Sequence, residues 1–240
     1  MSFKIKGLGL TDIGLKRKIN QDAFLMDEKQ HLYVVADGMG GHLGGEVASR
    51  LAVETVQKFC LESSSLSPQN LLQQGINLAC QNIHAESQKN EELNGMGTTV
   101  VAMLFSKDVV FIGQVGDSRA YLLQKGGIWQ LTEDHSLLNE EIRAGRLSAD
   151  QAETYKFKNV ITRSVGYEPQ VLVDIYRRKI RPGDIYLSCT DGLSGLVNPE
   201  EIRKTMETHG IENGLAKLVQ LAKDRGGDDN ITVVACEISA

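Results

Sequence analysis

Short apolar runs rich in β-branched residues recur along the chain and predict strands. The run 31–36 is typical, because it is apolar, bounded by polar residues and followed directly by Asp37. Polar or glycine-containing breaks at 106–108 and 125–127 are typical of hairpin turns, which join antiparallel strands. Further strands are predicted at 98–105, 109–115, 119–123, 171–176, 184–189 and 231–238.

Helices are predicted where apolar residues recur every three or four positions. Residues 46–62 show this pattern. A second helix is predicted to begin at Pro68, because proline suits the first helical turn. Two more helices are predicted at 199–207 and 213–223.

The stretch 133–159 differs from the rest, since it is charged and weakly apolar, and it favours two short helices around Gly145 as an irregular insert. Elsewhere strands come in consecutive runs and helices in separate pairs, unlike the steady alternation of a parallel α/β fold. The pattern therefore predicts sheets packed on each other with helices outside both. No domain boundary is evident, so a single domain is expected over residues 1–240.

Composition argues against several classes of protein. The 240 residues are 41% hydrophobic and 24% charged, as in ordinary globular domains. A formal net charge of −5 argues against a non-specific nucleic-acid binder, which would normally present a basic face. No apolar run approaches the roughly 20 residues that span a bilayer, so no membrane insertion is expected.

The four cysteines are far apart and form no CxxC pair. This spacing argues against a zinc site or a disulfide framework. Buried free thiols in a reducing compartment are the simpler interpretation, and the expected location is the cytoplasm.

Five short acidic motifs carry the candidate chemistry. They are RKINQD at 17–22, DGMGGH at 37–42, VGDSR at 115–119, TDG at 190–192 and GDDN at 227–230. Each places an aspartate at or just past the end of an apolar run, beside small residues. Carboxylates supply oxygen ligands to hard cations, and glycine lets the main chain approach the ion. One Asp-Gly pair would indicate a hairpin turn, but the whole set, with an arginine and a histidine in it, favours a metal site.

In order and approximate spacing, these motifs resemble those of the type 2C (PPM) metal-dependent serine/threonine protein phosphatases in their small bacterial form. Further matches are MGTT at 96–99, TEDHS at 132–136, ITRSVG at 161–166 and GD at 183–184, so the resemblance extends from about residue 8 to residue 234. It implies an α+β fold, namely a four-layer α-β-β-α sandwich of two mainly antiparallel sheets flanked by helices. It also implies a small mobile flap beside the active site, at about 133–160.

The resemblance implies a centre of two Mg²⁺ or Mn²⁺ ions with a third, weaker ion beside it. Oxygen ligands with several waters suit these ions better than zinc. Asp37 would bridge the two ions, Gly38 would add its carbonyl, and Asp22 would act largely through bound water. The remaining ligands would be Asp191 and Asp229 for the second ion, and Asp117 with Asp191 for the third.

Two further residues have roles in the expected reaction. The planar guanidinium of Arg17 would grip two phosphate oxygens, which Lys18 could not do. His42 would protonate the leaving serine or threonine oxygen, although the animal branch has its histidine directly after Asp-Gly, where this chain has Met39. The reaction implied is in-line attack of a metal-bridged hydroxide on phosphoserine or phosphothreonine.

Two alternatives stay open. One is a catalytically silent phosphoprotein-binding regulatory module on the same fold, which would usually lack a ligand carboxylate, whereas all five aspartates are present here. The other is a different metal phosphoesterase, for instance one acting on nucleotides, although Trp129 is the only tryptophan and no base-stacking cluster is evident. The partners expected of a phosphatase are phosphorylated proteins and a cognate serine/threonine kinase with its targets. A monomer is expected.

Overall fold

The fold is built around two antiparallel sheets that pack face to face. The computed structural model describes residues 3–148, 151, 155–157 and 159–240, and for His42 the main chain only. The first sheet has the order β1 (Lys4–Asp12), β11 (Ile231–Ser239), β10 (Ile185–Cys189), β7 (Arg119–Gln124) and β8 (Gly127–Gln130). The second sheet has the order β2 (Asp22–Asp27), β3 (Leu32–Met39), β5 (Val100–Ser106), β6 (Val109–Val115) and β9 (Asp174–Lys179), with β4 (Gly97–Thr98) paired to β3.

Helices cover the outer face of each sheet. The described helices are α1 (Gly41–Glu62), α2 (Pro68–Ser87), a 3-10 turn at Glu91–Leu93, α3 (Leu137–Arg143), α4 (Asp191–Ser194) and α5 (Pro199–Asp224). α3 belongs to the insert and has no buried residue. α1 and α2 pack on the second sheet, and α4 and α5 pack on the first. The predicted α+β class and four-layer order are therefore confirmed. Within the described residues, no helix has both the length and the apolar character that crossing a membrane requires.

Alternation along the strands builds three apolar layers. In β3, Tyr33 and Val35 face the other sheet, while Val34 faces α1 and α2. Between the sheets, the ring of Phe105 meets Tyr33 and Tyr186 edge-on, with centroid distances of 5.8 and 5.5 Å. Fully burying one such side chain stabilises a fold by roughly 1.5–3 kcal/mol. These layers fix the strand ends from which the candidate site projects.

α5 is capped at its start and interrupted in its middle. The Asn198 side chain accepts from the Glu201 amide at 3.0 Å, and the Glu201 carboxylate accepts from the Asn198 amide at 3.2 Å. This reciprocal pair satisfies two amides that the first turn leaves free. Gly210 has φ 68° and ψ −179°, which interrupts the helix. The two helices predicted at 199–207 and 213–223 are its two halves.

Several elements differ from the prediction, and three of them have an evident physical reason or are new. α1 begins at Gly41, well before the predicted start at residue 46, because its first turn is rich in glycine and gives a weak helical signal. β9 begins at Asp174, not at residue 171, and the Val171 amide donates to Asn77 Oδ1 at 3.4 Å and not to a neighbouring strand. The short edge strand β8 has no counterpart among the predicted strands.

The insert at 133–160 is described in part. α3 accounts for the first of its two predicted short helices. Residues 149, 150, 152–154 and 158 lie outside the described residues, and so does much of the second predicted helix.

Candidate active site

Five aspartates from five motifs meet at one end of the two sheets. Asp22 and Asp37 are paired across β2 and β3. Asp117 lies just after β6, Asp191 begins α4 after β10, and Asp229 lies shortly before β11. All of them except Asp22 line one cleft of about 730 Å³. The structure thus brings the predicted acidic positions together.

Asp22 is the buried member of this group. Its Oδ2 accepts a hydrogen bond from Thr190 Oγ1 at 2.9 Å. Burial raises the pKa of Asp22 to about 7; the charges of Asp191 and Asp229 add to the rise, and hydroxyl bonds from Thr232 and Thr190 oppose it. The three carboxylates are therefore close enough to influence one another's protonation.

Three of the carboxylates that line the cleft, those of Asp37, Asp117 and Asp191, also resist ionisation. Burial raises the pKa of Asp117 to about 7, and the neighbouring charge of Asp191 adds to the rise. Burial is again the largest cause of the raised pKa of Asp37 and of Asp191, followed by nearby carboxylates. Because like charges in a partly dry site disfavour one another, this arrangement favours a bound positive charge.

Two carboxylate oxygens test whether these residues fit a cation. Asp22 Oδ1 and Asp191 Oδ1 are buried and have no hydrogen-bond partner among the described residues. A buried oxygen without a donor costs free energy, and a hard divalent cation would satisfy it. Among the described residues, no three acidic, histidine or cysteine side chains form a ready-made cage. An Mg²⁺ site does not need one, because the ion usually keeps several waters and is held by one or two carboxylates. The donor set fits the expected ions.

Gly38 lies where a side chain has no room. A Cβ atom at this position would come within 2.0 Å of the Gly45 carbonyl oxygen and 2.5 Å of the Gln21 carbonyl oxygen. The Gly38 amide donates to that same Gln21 oxygen at 3.1 Å. The close approach of β3 to α1 therefore requires glycine beside Asp37, and it also requires Gly45, whose own Cβ would come within 2.7 Å of the Gly38 carbonyl.

Asn230 holds the loop that carries Arg17. Its Oδ1 accepts from the Gln21 amide at 2.7 Å, and its Nδ2 lies within hydrogen-bond distance of the Ile13 and Ile19 carbonyls, at 3.0 and 3.1 Å. Both ends of the loop are thus tied to the start of β11. The sequence motif GDDN includes this asparagine, but its role depends on contacts across more than two hundred residues of chain.

Arg17 faces the cleft. Its Nη2 donates to Asp229 Oδ2 at 2.7 Å, and the Arg17 side chain is 49% exposed. The neighbouring Lys16 and Lys18 also line the cleft, and Lys16 is paired with Asp228, so basic and acidic side chains share this space. A guanidinium that is half-exposed at this place is available to a phosphate dianion.

His135 lies behind the loop that carries Asp117. Its Nδ1 accepts from the Gly116 amide at 3.1 Å, so its proton is on Nε2, which lies 3.1 Å from Asp174 Oδ2. The His135 amide in turn donates to the Gly116 carbonyl at 3.0 Å. His135 therefore braces the main chain next to Asp117, a role that the TEDHS motif alone does not reveal.

His42 lies in the first turn of α1, directly after the cleft residue Gly41. Its side chain lies outside the described residues, so its predicted role as a proton donor stays a prediction.

The MGTT motif has a role that the sequence did not indicate: Thr98 Oγ1 donates to the Asp37 carbonyl at 2.8 Å.

Known proteins share this sequence and fold. Residues 16–221 match the protein phosphatase 2C family. The serine/threonine phosphatase stp of Listeria innocua is 38% identical over 237 residues, which cover 95% of this chain and 93% of that protein. The crystal structure of the Mycobacterium tuberculosis serine/threonine phosphatase PstP/Ppp superposes with a TM-score of 0.92 at 31% identity, covering 98% of this chain and 99% of that one. A structure of the PstP catalytic domain in complex with two manganese ions has a TM-score of 0.90 at 30% identity and covers 100% of both chains.

Proposed function

This chain belongs to the protein phosphatase 2C family, and we propose how the residues of its cleft divide the work of a metal-dependent serine/threonine protein phosphatase. The enzyme hydrolyses phosphoserine and phosphothreonine in proteins and uses Mg²⁺ or Mn²⁺. One observation carries the assignment of residues: carboxylates from four distant motifs line one cleft together with Arg17, and the fifth carboxylate, Asp22, is paired with Asp37 across β2 and β3. The catalytically silent module is disfavoured because none of these carboxylates is missing.

The aspartates are proposed to hold the cations. Asp37, with the Gly38 carbonyl beside it, lies centrally and would be shared between two ions, while Asp191 and Asp229 would hold the second. The buried, unpartnered oxygens of Asp22 and Asp191 support their assignment. When bound, the ions supply positive charge to the phosphate oxygens and lower the pKa of water. Asp117, which also lines the cleft, is proposed together with Asp191 for the third, weaker ion.

Arg17 is proposed to bind and orient the phosphate. Its guanidinium would exchange part of its contact with Asp229 for two phosphate oxygens, which favours attack on phosphorus opposite the leaving oxygen. In the reaction one oxygen–phosphorus bond forms to water, and the bond to the serine or threonine oxygen breaks. That oxygen needs a proton as it leaves, and His42 is the proposed donor from its position in the motif.

The test compares phosphothreonine-peptide hydrolysis by the wild type, by Asp37→Ala and by the exposed-surface control Asp224→Ala. Each protein is assayed with Mn²⁺ and with EDTA. We expect metal-dependent turnover in the wild type and the control, and none in Asp37→Ala. Wild-type rates in Asp37→Ala would remove Asp37 from the mechanism. Nucleotides assayed as substrates beside the peptide separate this function from a nucleotide phosphoesterase.

Further parts of the proposal concern the setting of the enzyme. A cognate serine/threonine kinase that phosphorylates the same targets is the expected counterpart. The four cysteines are all buried and unpaired, which supports a reducing compartment, the cytoplasm. Residues 1–240 are proposed to act as one catalytic domain and as a monomer, with the insert at 133–160 as a flap. Sedimentation of the protein at several concentrations tests the monomer.

A further inference from the structure

A second cavity adjoins the catalytic cleft. It has a volume of about 550 Å³, and its apolar walls include Met39, Ile161, Tyr167, Val171 and Leu172. Met39 and Ile161 also line the catalytic cleft, so the two spaces share a wall. We call this second cavity the side groove.

The side groove exposes unusually large apolar surfaces. Tyr167 and Leu172 are each 66% exposed. They are two of the eleven large apolar side chains that are exposed in the described residues, and both line this groove. Single exposed apolar residues are common on protein surfaces, but a group beside an active cleft marks a binding surface.

The main chain that presents Tyr167 is fixed from behind by α2. The Gly166 amide donates to Cys80 Sγ at 3.3 Å, and Cys80 Sγ donates to the Glu168 carbonyl at 3.0 Å. His84 Nδ1 lies 3.3 Å from the Tyr167 carbonyl. Cys80 and His84 lie one turn apart on one face of α2. An exposed side chain on an anchored loop loses little entropy on binding.

The same loop is tied to the catalytic residues. The Thr98 and Val165 amides donate to each other's carbonyls, at 3.0 and 2.8 Å. Thr98 Oγ1 also donates to the Asp37 carbonyl at 2.8 Å. One continuous hydrogen-bonded framework therefore fixes the side groove relative to the cleft, as a substrate that enters both spaces would require.

We propose that the side groove binds an apolar side chain of the substrate polypeptide, a few residues from the phosphorylated residue. This inference rests on the proposed function: Met39 and Ile161 line both spaces, so a polypeptide whose phosphorylated residue lies in the cleft can place a neighbouring residue in the side groove. An extended chain advances roughly 3.3 Å per residue, so the occupant lies within a short peptide.

Charge adds a second element of selectivity. Glu168 is exposed on the rim of the side groove and has no ion-pair partner among the described residues. Arg163, the cation on the same rim, is already paired with Asp174 at 3.0 Å. The rim therefore favours a lysine or arginine next to the apolar side chain of the substrate.

The experiment uses phosphothreonine peptides with an alanine background, in which one leucine is moved through each of the four positions on either side. The enzymes are the wild type, the double variant Tyr167→Ser/Leu172→Ser and the control Leu61→Ser, whose leucine is 63% exposed at the end of α1. Para-nitrophenyl phosphate has no peptide chain, so it occupies only the catalytic cleft and not the side groove. Its hydrolysis reports the basal activity. Sedimentation of wild type and double variant detects self-association.

We expect at least one leucine position to raise the kcat/KM of the wild type and of Leu61→Ser by roughly tenfold over the alanine peptide, mainly through KM. The double variant should lose that gain and keep its activity on para-nitrophenyl phosphate. Equal kcat/KM at every leucine position in the wild type would overturn the inference while leaving the proposed function intact. A wild-type dimer that is absent in the double variant would also overturn the inference, since a second copy of the chain would then occupy the groove. Failure of the wild type on all peptides would instead overturn both.

Discussion

Thr99 holds the main chain of Asp37 at both of its polar groups. The Asp37 amide donates to Thr99 Oγ1 at 3.0 Å, and the Thr99 amide donates to the Asp37 carbonyl at 2.8 Å. The same hydroxyl lies 2.7 Å from Ser118 Oγ, one residue after Asp117. One buried threonine thus links strand β3, which carries Asp37, to the loop that carries Asp117, and the spacing of these carboxylates depends on it.

Thr99→Val keeps the shape of this side chain and removes its hydroxyl. The Asp37 amide and the Ser118 hydroxyl lose a partner, which should cost about 1–3 kcal/mol of unfolding free energy. Because Asp37 would also be less well placed, the Mn²⁺ concentration for half-maximal activity should rise. Urea unfolding in EDTA and Mn²⁺ titration of activity measure the two effects. Thr99→Ser, which keeps the hydroxyl, should remain near the wild type in unfolding free energy and in Mn²⁺ dependence. If Thr99→Val gave the same values as Thr99→Ser, the hydroxyl link between Asp37 and Ser118 would be dispensable.

The sequence predicts the elements of the fold better than the contacts between them. Alternation and helical periodicity locate β3 and α2 because these signals arise within each segment. The first turn of α1 is not predicted, since its glycines disfavour helix locally. One of them, Gly45, is required by its close approach to Gly38. The predicted bounds of β9 lie too early in the chain, because its second half is the charged run 177–179, which lacks the apolar pattern of a strand.

The residues of the candidate site also fall into two groups: those that the sequence predicts and those that it does not. Asp37 and Asp191 stand out in the sequence because acidic residues beside glycine at the ends of apolar runs form a local pattern. The roles of Thr99, Asn230 and His135 cannot be recognised in the sequence, since each side chain forms hydrogen bonds to main-chain groups that are distant in sequence. Their types are compatible with any turn or cap, so their roles require the three-dimensional structure.

Removing one charge from the acidic cluster should stabilise the metal-free protein. Asp22→Asn keeps an acceptor for Thr190 Oγ1 and ends the repulsion with Asp191 and Asp229 that helps to raise the pKa of Asp22 to about 7. At pH 8 in EDTA we expect a melting temperature a few degrees above the wild type, and a smaller rise on adding Mn²⁺. Thermal melts with and without Mn²⁺ measure both. Asp224→Asn, at an exposed site, should leave both values unchanged; an equal Mn²⁺ response in Asp22→Asn would remove Asp22 from the metal centre.

Arg17 should affect substrate binding more than the chemical step. Arg17→Ala removes a charged hydrogen-bond donor to phosphate, a contact worth roughly 1.5–3 kcal/mol, so KM for a phosphothreonine peptide should rise about tenfold or more. Arg17→Lys should restore little of this loss, because an ammonium cannot grip two oxygens in one plane. Inhibition by inorganic phosphate should weaken in parallel. An unchanged KM in Arg17→Ala would show that the guanidinium pairs with Asp229 and does not bind the substrate phosphate.

His135 should make the stability of the protein depend on pH in a predictable direction. Burial is the largest cause of its lowered pKa; the charge of Arg163 adds to the effect, and Asp174 and Asp134 oppose it. Below pH 6.5 the unfolded chain therefore binds a proton that the folded protein does not, so the free energy of unfolding falls as the pH decreases through that window.

His135→Gln removes this dependence together with the hydrogen bond from the Gly116 amide. In EDTA at pH 7.5 it should be less stable than the wild type by about 1–3 kcal/mol. That difference should shrink as the pH falls from 6.5 towards 5, by at most about 1.4 kcal/mol per pH unit. Urea unfolding across this range measures it, and His209→Gln controls for the loss of an exposed histidine on α5. A difference that stays constant from pH 7.5 to 5 would mean that the folded protein accepts the proton at His135 as readily as the unfolded chain does.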